Sequence, residues 1–534
     1  MKLKNNFFEL VCGLCFTAIL ISGCKNKDDK NKNIVAKKPN IVFILADDLG
    51  AHDLSYSGSN YYETPNIDAI ANEGVQFTQG YAACQVCSPS RASLMLGQYT
   101  ARHGVTDWIG AATGKKWGDY YNTKVMPPEY AHALPQESTT IAEALKQNGY
   151  KTFFAGKWHI GDEPYSPENN GFDINIGGWE VGGPKGGYYA PWRNPKLDYK
   201  YEGENLTKRL ALETADFIAN NKEEPFFAFL SFYAVHGPIE TTKEKWNKYR
   251  AKAEAQGIPE SGFDMEARLP IRNVQDNPIY AGLVESMDDA VGVVLNKLKE
   301  LGLDDNTIIV FTSDNGGVAS GDAFSTTNFP LRGGKGYQWE GGIREPFFIK
   351  VPWLENKGVQ SNFPVVSTDF YPTLLDLANT PLQPEQHKDG ISLKPILEGK
   401  EINIDRPLYW HYPHYGNQGG EPSSIIQQNG WKLIHYWEDN REELFKLPSI
   451  EKDELNVISE HPELAKKLSN QLLTWLKEVN AKYPKKDSLF DKDKRHLRLQ
   501  ELRTKKLQSL EKNRIKVLSK DFQPNKNWWK SKIT

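Results

Sequence analysis

Four apolar segments of this chain each lead directly into charged or amide side chains, and this pattern limits the possible folds more than any other feature. The segments are residues 41–46, 152–155, 226–235 and 307–312. Stretches with the helical spacing of apolar residues alternate with them, at 66–73, 140–148 and 280–298. Short apolar strands that alternate with helices predict an α/β domain in which helices cover both faces of a large, mixed, mostly parallel sheet.

The polar residues that follow these segments are expected to share one crevice. The carboxyl ends of parallel strands meet at one edge of a sheet, where α/β proteins bind their ligands. Asp47, Asp48, Asp314 and Asn315 bring oxygen atoms to that edge, which suits Ca²⁺ or Mg²⁺ better than zinc. A single aspartate after a strand is more commonly a helix cap or a turn residue. Two adjacent pairs at two strand ends favour the metal site.

Cations and proton carriers accompany these oxygen ligands. They are Lys157, His159, His236 and, later in the chain, Lys335. Beside a metal ion they suit the charge of a tetrahedral oxyanion and the proton transfers around it. A lone histidine near a strand end is more often structural, and that reading would have to hold for each of these residues.

Cys87 stands at the start of a predicted helix, with Ser88 as the expected N-cap and Gly97 as the expected end. A helix N-terminus favours an anion, so an unmodified cysteine there would be an acidified nucleophile, as in a cysteine hydrolase. The alternative is a structural thiol. Only Cys84 and Cys87 remain after residue 24, so the chain has no disulfide framework.

The pattern changes near residue 400. Short β-prone pieces at 408–411, 424–427, 432–437 and 443–445, followed by a helix at 461–482, predict a small antiparallel sheet with one helix. We therefore divide the chain into a catalytic domain at 38–400, an α+β subdomain at 401–484 and a basic helical tail at 485–534. The tail carries 16 basic and 6 acidic residues, although the whole chain has a net charge of −3. We expect the tail to be an amphipathic helix on the acidic body rather than a polysaccharide-binding segment, and we expect no nucleic acid partner.

The N-terminus has the composition of an export signal. Two lysines precede an apolar run at 11–21, which is too short to span a bilayer. The sequence Ile21-Ser22-Gly23-Cys24 resembles a bacterial lipobox, so residues 1–23 are read as a lipoprotein signal peptide and Cys24 as the lipidated residue. Residues 24–37 then form a polar tether to the outer membrane, at the cell surface or in the periplasm. The alternative is plain secretion with an incidental Cys24.

Several ordered motifs resemble one enzyme family, the formylglycine-dependent (type I) sulfatases of the alkaline-phosphatase-like superfamily. The motifs are Cys87-Ser88-Pro89-Ser90-Arg91, Asp47-Asp48-Leu49-Gly50, Gly156-Lys157-Trp158-His159, His236-Gly237-Pro238, Ser313-Asp314-Asn315-Gly316 and Arg332-Gly333-Gly334-Lys335. The resemblance covers roughly residues 38–480, and it implies the alkaline-phosphatase-like fold.

The resemblance also implies the cofactor chemistry. A maturing enzyme oxidises Cys87 to formylglycine (3-oxoalanine), and one hydroxyl of the hydrated aldehyde attacks sulfur with Arg91 supporting the diol. The resemblance places one Ca²⁺ on Asp47, Asp48, Asp314, Asn315 and residue 87.

It assigns the remaining polar residues to sulfate binding and proton transfer. Lys157 and Lys335 neutralise the sulfate oxygens, and His236, with Lys335, protonates the departing alcohol. His159 deprotonates the second hydroxyl, which expels sulfate and regenerates the aldehyde.

Two aromatic loops are candidates for substrate specificity. In the glycine-rich loop at 177–193, Trp179 is expected to stack on a sugar, and Lys185 and Arg193 to hold further anionic groups. In the segment 409–415, His411 and His414 are polar enough to contact sugar hydroxyls. An equally good interpretation of the first loop is a surface loop whose aromatic residues are packed against the protein. For the second segment, structural roles for the two histidines are an equally good interpretation.

The chain is therefore interpreted as a sulfatase that removes sulfate esters from a sulfated polysaccharide or its oligosaccharides during polysaccharide breakdown. One alternative is a formylglycine-dependent phosphonate monoester or phosphodiester hydrolase, which the export signal disfavours. Another is a catalytically dead glycan-binding lipoprotein, which the complete set of polar residues disfavours.

Overall fold

The computed structural model describes residues 38–448 and 455–530. The proposed signal peptide, Cys24 and the tether lie outside these residues. The described strands are β1 Asn40–Ala46, β2 Val75–Phe77, β3 Gly80–Tyr81, β4 Val125–Met126, β5 Lys151–Gly156, β6 Ile174–Ile176, β7 Phe226–Ser231, β8 Phe263–Glu266, β9 Leu269–Arg272, β10 Thr307–Ser313, β11 Phe347–Lys350, β12 Val359–Ser361, β13 Val365–Val366, β14 Leu408–Tyr412, β15 Ser423–Gln428, β16 Trp431–Tyr436, β17 Glu442–Lys446 and β18 Lys485–Lys486.

Helices flank these strands along the whole described chain. They are α1 Pro65–Glu73, α2 Cys87–Leu96, α3 Thr100–His103, α4 Gly114–Tyr120, α5 Ile141–Gln147, α6 Leu206–Asn220, α7 Lys243–Gln256, α8 Pro278–Glu300, α9 Glu340–Ile343, α10 Phe370–Leu377, α11 Lys394–Leu397, α12 Pro462–Glu478, α13 Lys492–Glu501 and α14 Leu507–Leu518. None of the helices in the described ranges has the length and apolar character that a membrane span requires.

The main sheet confirms the predicted fold class. Within the described residues it has eight strands in the order β12-β2-β11-β10-β1-β7-β5-β6. All neighbours are parallel except β11, which runs antiparallel to β10 and β2. The central strand β1 is buried on both faces, as its continuous apolar run predicts. Ile44 contributes to the core on one face and Phe43 to the core on the other, and each buried side chain of this size contributes about 1.5–3 kcal/mol.

Two apolar stretches of the sequence are only partly strand in the structure. The apolar stretch at 75–82 is divided between β2, in the main sheet, and β3, which pairs with β13 in a separate sheet. The stretch at 226–235 leaves the sheet after Ser231, although residues 232–235 stay buried. Residues 232–235 are buried without strand pairing. Such residues have the same hydrophobic signature as a strand, which explains the shorter β7.

The C-terminal part contains the predicted antiparallel sheet. In the described ranges, β14, β15, β16 and β17 form a four-stranded meander that packs against α12. The tail contains α13 and α14, joined by a π-helical segment at Leu502–Lys506. It packs against the body, where the Arg514 guanidinium lies 2.7 Å from Asp276 and Trp529 contacts Trp246.

Candidate active site

The predicted metal ligands meet where β1 and β10 end. The two strands are parallel neighbours in the register that pairs Ala46 with Ser313, so the residues that follow them are adjacent. Asp47, Asp48 and Asp314 each offer an oxygen atom within 4.8 Å of the others, and all three side chains are buried. The Asp48 backbone N–H donates to Asp314 Oδ1 at 3.2 Å, which ties the two strand ends together.

Asn315 supplies the best evidence that this cluster accepts a cation. Its Nδ2 donates to Asp48 Oδ1 at 2.9 Å and to the Gly316 carbonyl at 3.1 Å. Its Oδ1 is buried without a hydrogen-bond partner among the described residues. A buried acceptor without a donor is costly, and a metal ion removes that cost. Carboxylate and amide oxygens are the ligand types of Ca²⁺ or Mg²⁺, so the residues fit such an ion.

Each carboxylate of the cluster also has a cationic partner. The pairs are Lys157 with Asp47, at 2.8 Å to both oxygens, Lys335 with Asp48, at 2.7 and 2.8 Å, and Arg91 with Asp314, at 2.7 Å. Burial by itself would raise the pKa of Asp48, but the Lys335 ammonium and His236 outweigh it and hold that pKa well below its usual range. The Asp48 carboxylate raises the pKa of Lys335, although burial alone would lower it. This pair is therefore ionised.

Cys87 lies at the first position of helix α2, after Val86 as the N-cap. Its Sγ lies 3.5 Å from His159 Nδ1. Burial raises the pKa of the Cys87 thiol, which is the opposite direction from the acidified thiolate expected of an unmodified catalytic cysteine. The expected N-cap role of Ser88 is wrong. Its hydroxyl accepts the Ile109 N–H at 3.1 Å and lies 3.2 Å from His159 Nδ1.

The two histidines are held in fixed orientations. His236 Nδ1 lies 2.6 Å from the Gly237 carbonyl oxygen, which can only accept a hydrogen bond, so Nδ1 carries a proton. The other ring nitrogen, Nε2, lies 3.7 Å from Asp48 Oδ2. Burial, with a contribution from Lys335, lowers the pKa of His236 to about 4. Burial also places the pKa of His159 well below its ordinary value. Asp48 and His159 both have positive φ, at 66° and 56°, and such strained backbone is concentrated at functional sites.

Four of these residues open onto a crevice of about 500 Å³. Cys87, His159, His236 and Lys335 line it together with Lys185, the one predicted substrate residue among its lining. Sequence reasoning missed several wall residues, namely Trp108, Ile109, Glu180, Asp322, Asn417 and Gln418. They come from loops without a strand-end signature, so only their shared proximity in the fold identifies them.

The other predicted substrate residues do not line the crevice. The Trp179 Nε1 donates to the Tyr233 hydroxyl at 3.1 Å, and Arg193 is an exposed side chain elsewhere on the same loop.

The prediction that His411 and His414 contact sugar hydroxyls is wrong. Both side chains are buried, and neither lines the crevice. His411 lies between the Ser424 hydroxyl and the Lys482 carbonyl, at 2.7 and 2.9 Å, and His414 contacts Thr106. Their contacts are those of structural histidines.

The comparisons with known proteins agree with this geometry. The sulfatase family profile matches residues 39–380, well over half of the chain. The chain belongs to the sulfatase family. It is a sulfuric ester hydrolase with the alkaline-phosphatase-like fold. A second profile, described as N-sulphoglucosamine sulphohydrolase, C-terminal, matches residues 334–482 of this sulfatase.

Individual relatives of this sulfatase span nearly its whole length. A sulfatase of Formosa agariphila is 31% identical over 575 aligned residues, which cover 91% of this chain and 98% of that protein. Two crystal structures of Ps i-CgsB, one in complex with k-i-k-neocarrahexaose, have TM-scores of 0.67 and 0.66 at 28% identity. They cover 82% of this sulfatase and 93% of that chain. The phosphonate monoester hydrolase of Agrobacterium radiobacter shares the fold, with 20% identity, a TM-score of 0.54, and coverage of 83% and 96%.

Proposed function

We propose that this sulfatase removes sulfate esters from a sulfated polysaccharide or its oligosaccharides, using a formylglycine made from Cys87 and one Ca²⁺. The observation that carries the proposal is the position of Cys87. It begins α2 at the floor of the crevice, within 3.5 Å of His159, and lines that crevice together with His236 and Lys335.

The buried oxygens of the site support the calcium part of the proposal. Asp47, Asp48, Asp314 and Asn315 would hold the ion together with residue 87, and the unpartnered Asn315 Oδ1 would gain a ligand. When bound, such an ion stabilises negative charge on the attacking oxygen and on the sulfate.

Arg91 supports the formylglycine part of the proposal. It lies one helical turn after Cys87, and it donates through Nε to Asp314 and through Nη1 to Ser231. Its Nη2 is buried without a hydrogen-bond partner among the described residues. Conversion of Cys87 replaces sulfur with hydroxyl oxygens, which are far better acceptors for such a donor.

The remaining side chains would bind sulfate and move protons. Lys157 and Lys335, which are fixed by their carboxylate partners, place positive charge beside the sulfate oxygens. His236, with Nδ1 donating to Gly237, directs Nε2 into the site. Once the ring takes up a second proton beside the anionic sulfate ester, Nε2 would give that proton to the departing sugar oxygen. His159 lies 3.5 Å from Cys87 Sγ and would take a proton from a hydroxyl on residue 87.

A glycan substrate is supported by the crevice walls and by the relatives. Lys185 is an exposed cation at the mouth, Trp108 offers an aromatic surface, and Asp322 and Gln418 offer polar groups to sugar hydroxyls. One of the two Ps i-CgsB structures is a complex with the oligosaccharide k-i-k-neocarrahexaose. We extend that substrate class, and not that individual sugar, to this protein.

We also propose that the mature protein begins at Cys24, carries lipid on that residue and is anchored in the outer membrane, facing the cell surface or the periplasm. The lipobox-like sequence before Cys24 supports this proposal. Replacement of Cys24 by serine should release the protein from the membrane fraction and abolish labelling by a radioactive fatty acid. Continued labelling of that variant would contradict the anchor.

The decisive experiment measures free sulfate released from algal and animal sulfated polysaccharides and from their oligosaccharides. The protein is produced together with a formylglycine-generating enzyme, and mass spectrometry of the peptide that contains residue 87 reports its conversion. Cys87→Ala is the control. Sulfate release by the converted protein but not by the control supports the proposal.

The opposite result is equally informative. If residue 87 is converted and no sulfate appears, while phosphonate monoesters are hydrolysed, the substrate class is wrong and the alternative hydrolase reaction replaces it.

A further inference from the structure

A second cavity, of about 670 Å³, lies beside the catalytic crevice. Asn417 lines both spaces, and the loop around it separates them: Gln418 faces the crevice, and Tyr415 and Gly419 line the second cavity. The opposite wall is formed by α4 with the residues after it and by α13 of the basic tail. A chain-like ligand that extends from the crevice past Asn417 would reach this cavity.

Aromatic rings form one side of the cavity. The Trp117 ring is stacked between Tyr121, at a centroid distance of 4.0 Å, and Tyr415, at 5.6 Å. Trp117 and Tyr415 are buried, but Tyr120 and Tyr121 are 77% and 45% exposed. Exposed aromatic rings on a rigid stack provide flat, partly apolar surfaces with polar tips, which match the C–H face and the hydroxyls of a sugar ring.

Cations form the other side. Lys494, Arg495 and Arg498 come from α13, and Arg268 from β8–β9 lies over the Tyr415 ring at 4.5 Å. Arg268 Nη1 is buried and has no hydrogen-bond partner among the described residues. An unsatisfied guanidinium N–H in a cavity calls for an acceptor such as a sulfate or a carboxylate.

Acidic groups neutralise only part of this charge. Glu438 is shared by Arg495, by Lys124 at 3.3 Å and by the Tyr415 hydroxyl at 3.0 Å.

Among the described residues, Lys494 and Arg498 of α13 pair with exposed neighbours in the tail. Arg498 pairs with Glu501 at 2.7 Å, and Lys494 with Asp491 at 3.6 Å. Such exposed pairs are weak, so both cations remain available to an anion.

The basic tail is fixed in this position by contacts with the body. Asn122 Nδ2 donates to the Asp491 carbonyl at 2.6 Å, and the Asp491 N–H donates to Asn122 Oδ1 at 2.8 Å. Strand β18, at the start of the tail, pairs with β4. The tail therefore contributes charge to a built cavity and is not simply solvated.

We propose that this cavity binds a second anionic sugar unit of the same glycan chain whose sulfate ester occupies the crevice. The inference rests on the proposed function and extends it. It makes the enzyme selective for sulfated chains long enough to reach both sites, and it gives the basic tail a part in substrate binding.

The test compares substrates of different length. Sulfate release is measured with carrageenan and heparin oligosaccharides of two to eight sugars and with 4-nitrophenyl sulfate, using the residue-87-converted protein. The test variant is Lys494→Gln/Arg498→Gln, and the matched control is Arg503→Gln/Lys505→Gln, which removes the same charge from exposed tail positions outside the cavity lining. A second test variant is Tyr120→Ala, whose side chain is 77% exposed.

We expect the wild type to gain kcat/KM with chain length. The test variants should raise KM for the long oligosaccharides by about three- to tenfold, the size expected for two exposed ion pairs. Turnover of 4-nitrophenyl sulfate should be unchanged. Equal effects of the test and control pairs, or no effect of the test pair, would overturn the inference.

A binding measurement separates this inference from the proposed function. Calorimetric titration of Cys87→Ala with the same oligosaccharides needs no turnover. If the converted enzyme releases no sulfate but the α13 substitutions weaken binding, the proposed function fails and the inferred cavity stands. If sulfate is released and the α13 substitutions leave binding unchanged, the proposed function stands and the inferred cavity fails.

Discussion

The Lys335 ammonium lies 2.7 and 2.8 Å from the two carboxylate oxygens of Asp48, and both side chains are almost fully buried. The ion pair joins the loop that follows β10 to the end of β1, at the point where the proposed calcium ligands meet. A buried pair of this kind contributes little net stability, but removal of one partner leaves an uncompensated charge in a poorly solvated place. The site is therefore sensitive to the loss of either partner.

Replacement of Lys335 by methionine should destabilise the calcium-free protein by about 3–5 kcal/mol, because the Asp48 carboxylate then loses its nearest cation. Thermal unfolding in the presence of a chelator measures this loss. Excess Ca²⁺ should restore part of it, since a ligand that binds only the folded state stabilises that state. Lys185→Met is the matched control, because Lys185 is an exposed cation at the mouth of the same crevice. Equal destabilisation by the two variants would contradict the argument.

Replacement of Asn315 by alanine should weaken Ca²⁺ binding by about tenfold or more. Even groups that only support a metal ligand cost about 10–100-fold in affinity when they are removed, and Asn315 Oδ1 is a proposed ligand. Titration of terbium luminescence, with Ca²⁺ as competitor, gives both affinities. Asn417→Ala is the control because Asn417 lines the crevice away from the carboxylates. An unchanged affinity in Asn315→Ala would remove this residue from the ligand set.

Sequence reasoning located the site because strand ends have a recognisable pattern. An apolar run that is buried on both faces, followed by Asp47-Asp48 or Asp314-Asn315, marks the carboxyl edge of a parallel sheet before any contact is known. The family resemblance placed Cys87 in the same site. The helix that begins there was also predicted, two residues after its observed start.

The failures have physical causes. A serine near a helix start usually caps it, but Ser88 lies inside α2 and contacts His159 and Ile109, which are distant in sequence. His411 lies in an aromatic-rich segment that suggests a sugar-binding wall. That segment is a strand of the small sheet, and its polar groups bond to Ser424 and Lys482. In both cases the role of the side chain depends on partners that are distant in sequence, and local residue spacing does not identify such partners.

Replacement of His236 by alanine should slow hydrolysis of a sugar sulfate by about 10²–10⁴-fold, the usual size of a general acid contribution. A sugar alcohol is a poor leaving group and needs a proton, which His236 is proposed to supply. The 4-nitrophenolate ion leaves without one, so turnover of 4-nitrophenyl sulfate should fall much less. Steady-state kinetics with both esters measures the two kcat values. Equal losses on the two substrates would show that His236 positions the site and does not donate the proton.

Replacement of His411 by glutamine should flatten the acid side of the stability profile. Burial lowers the pKa of His411 to about 4, from an ordinary value near 6.5. The unfolded chain therefore takes up a proton as the pH falls below 6.5, whereas the folded chain resists it until about pH 4. The stability that the neutral imidazole provides is fully present above pH 6.5 and is lost between pH 6.5 and 4. The loss is on the order of 3 kcal/mol. Urea unfolding at a series of pH values measures it. His496→Gln, which changes an exposed histidine of α13, should keep the wild-type slope, and the same steep acid loss in His411→Gln would assign it to other buried groups.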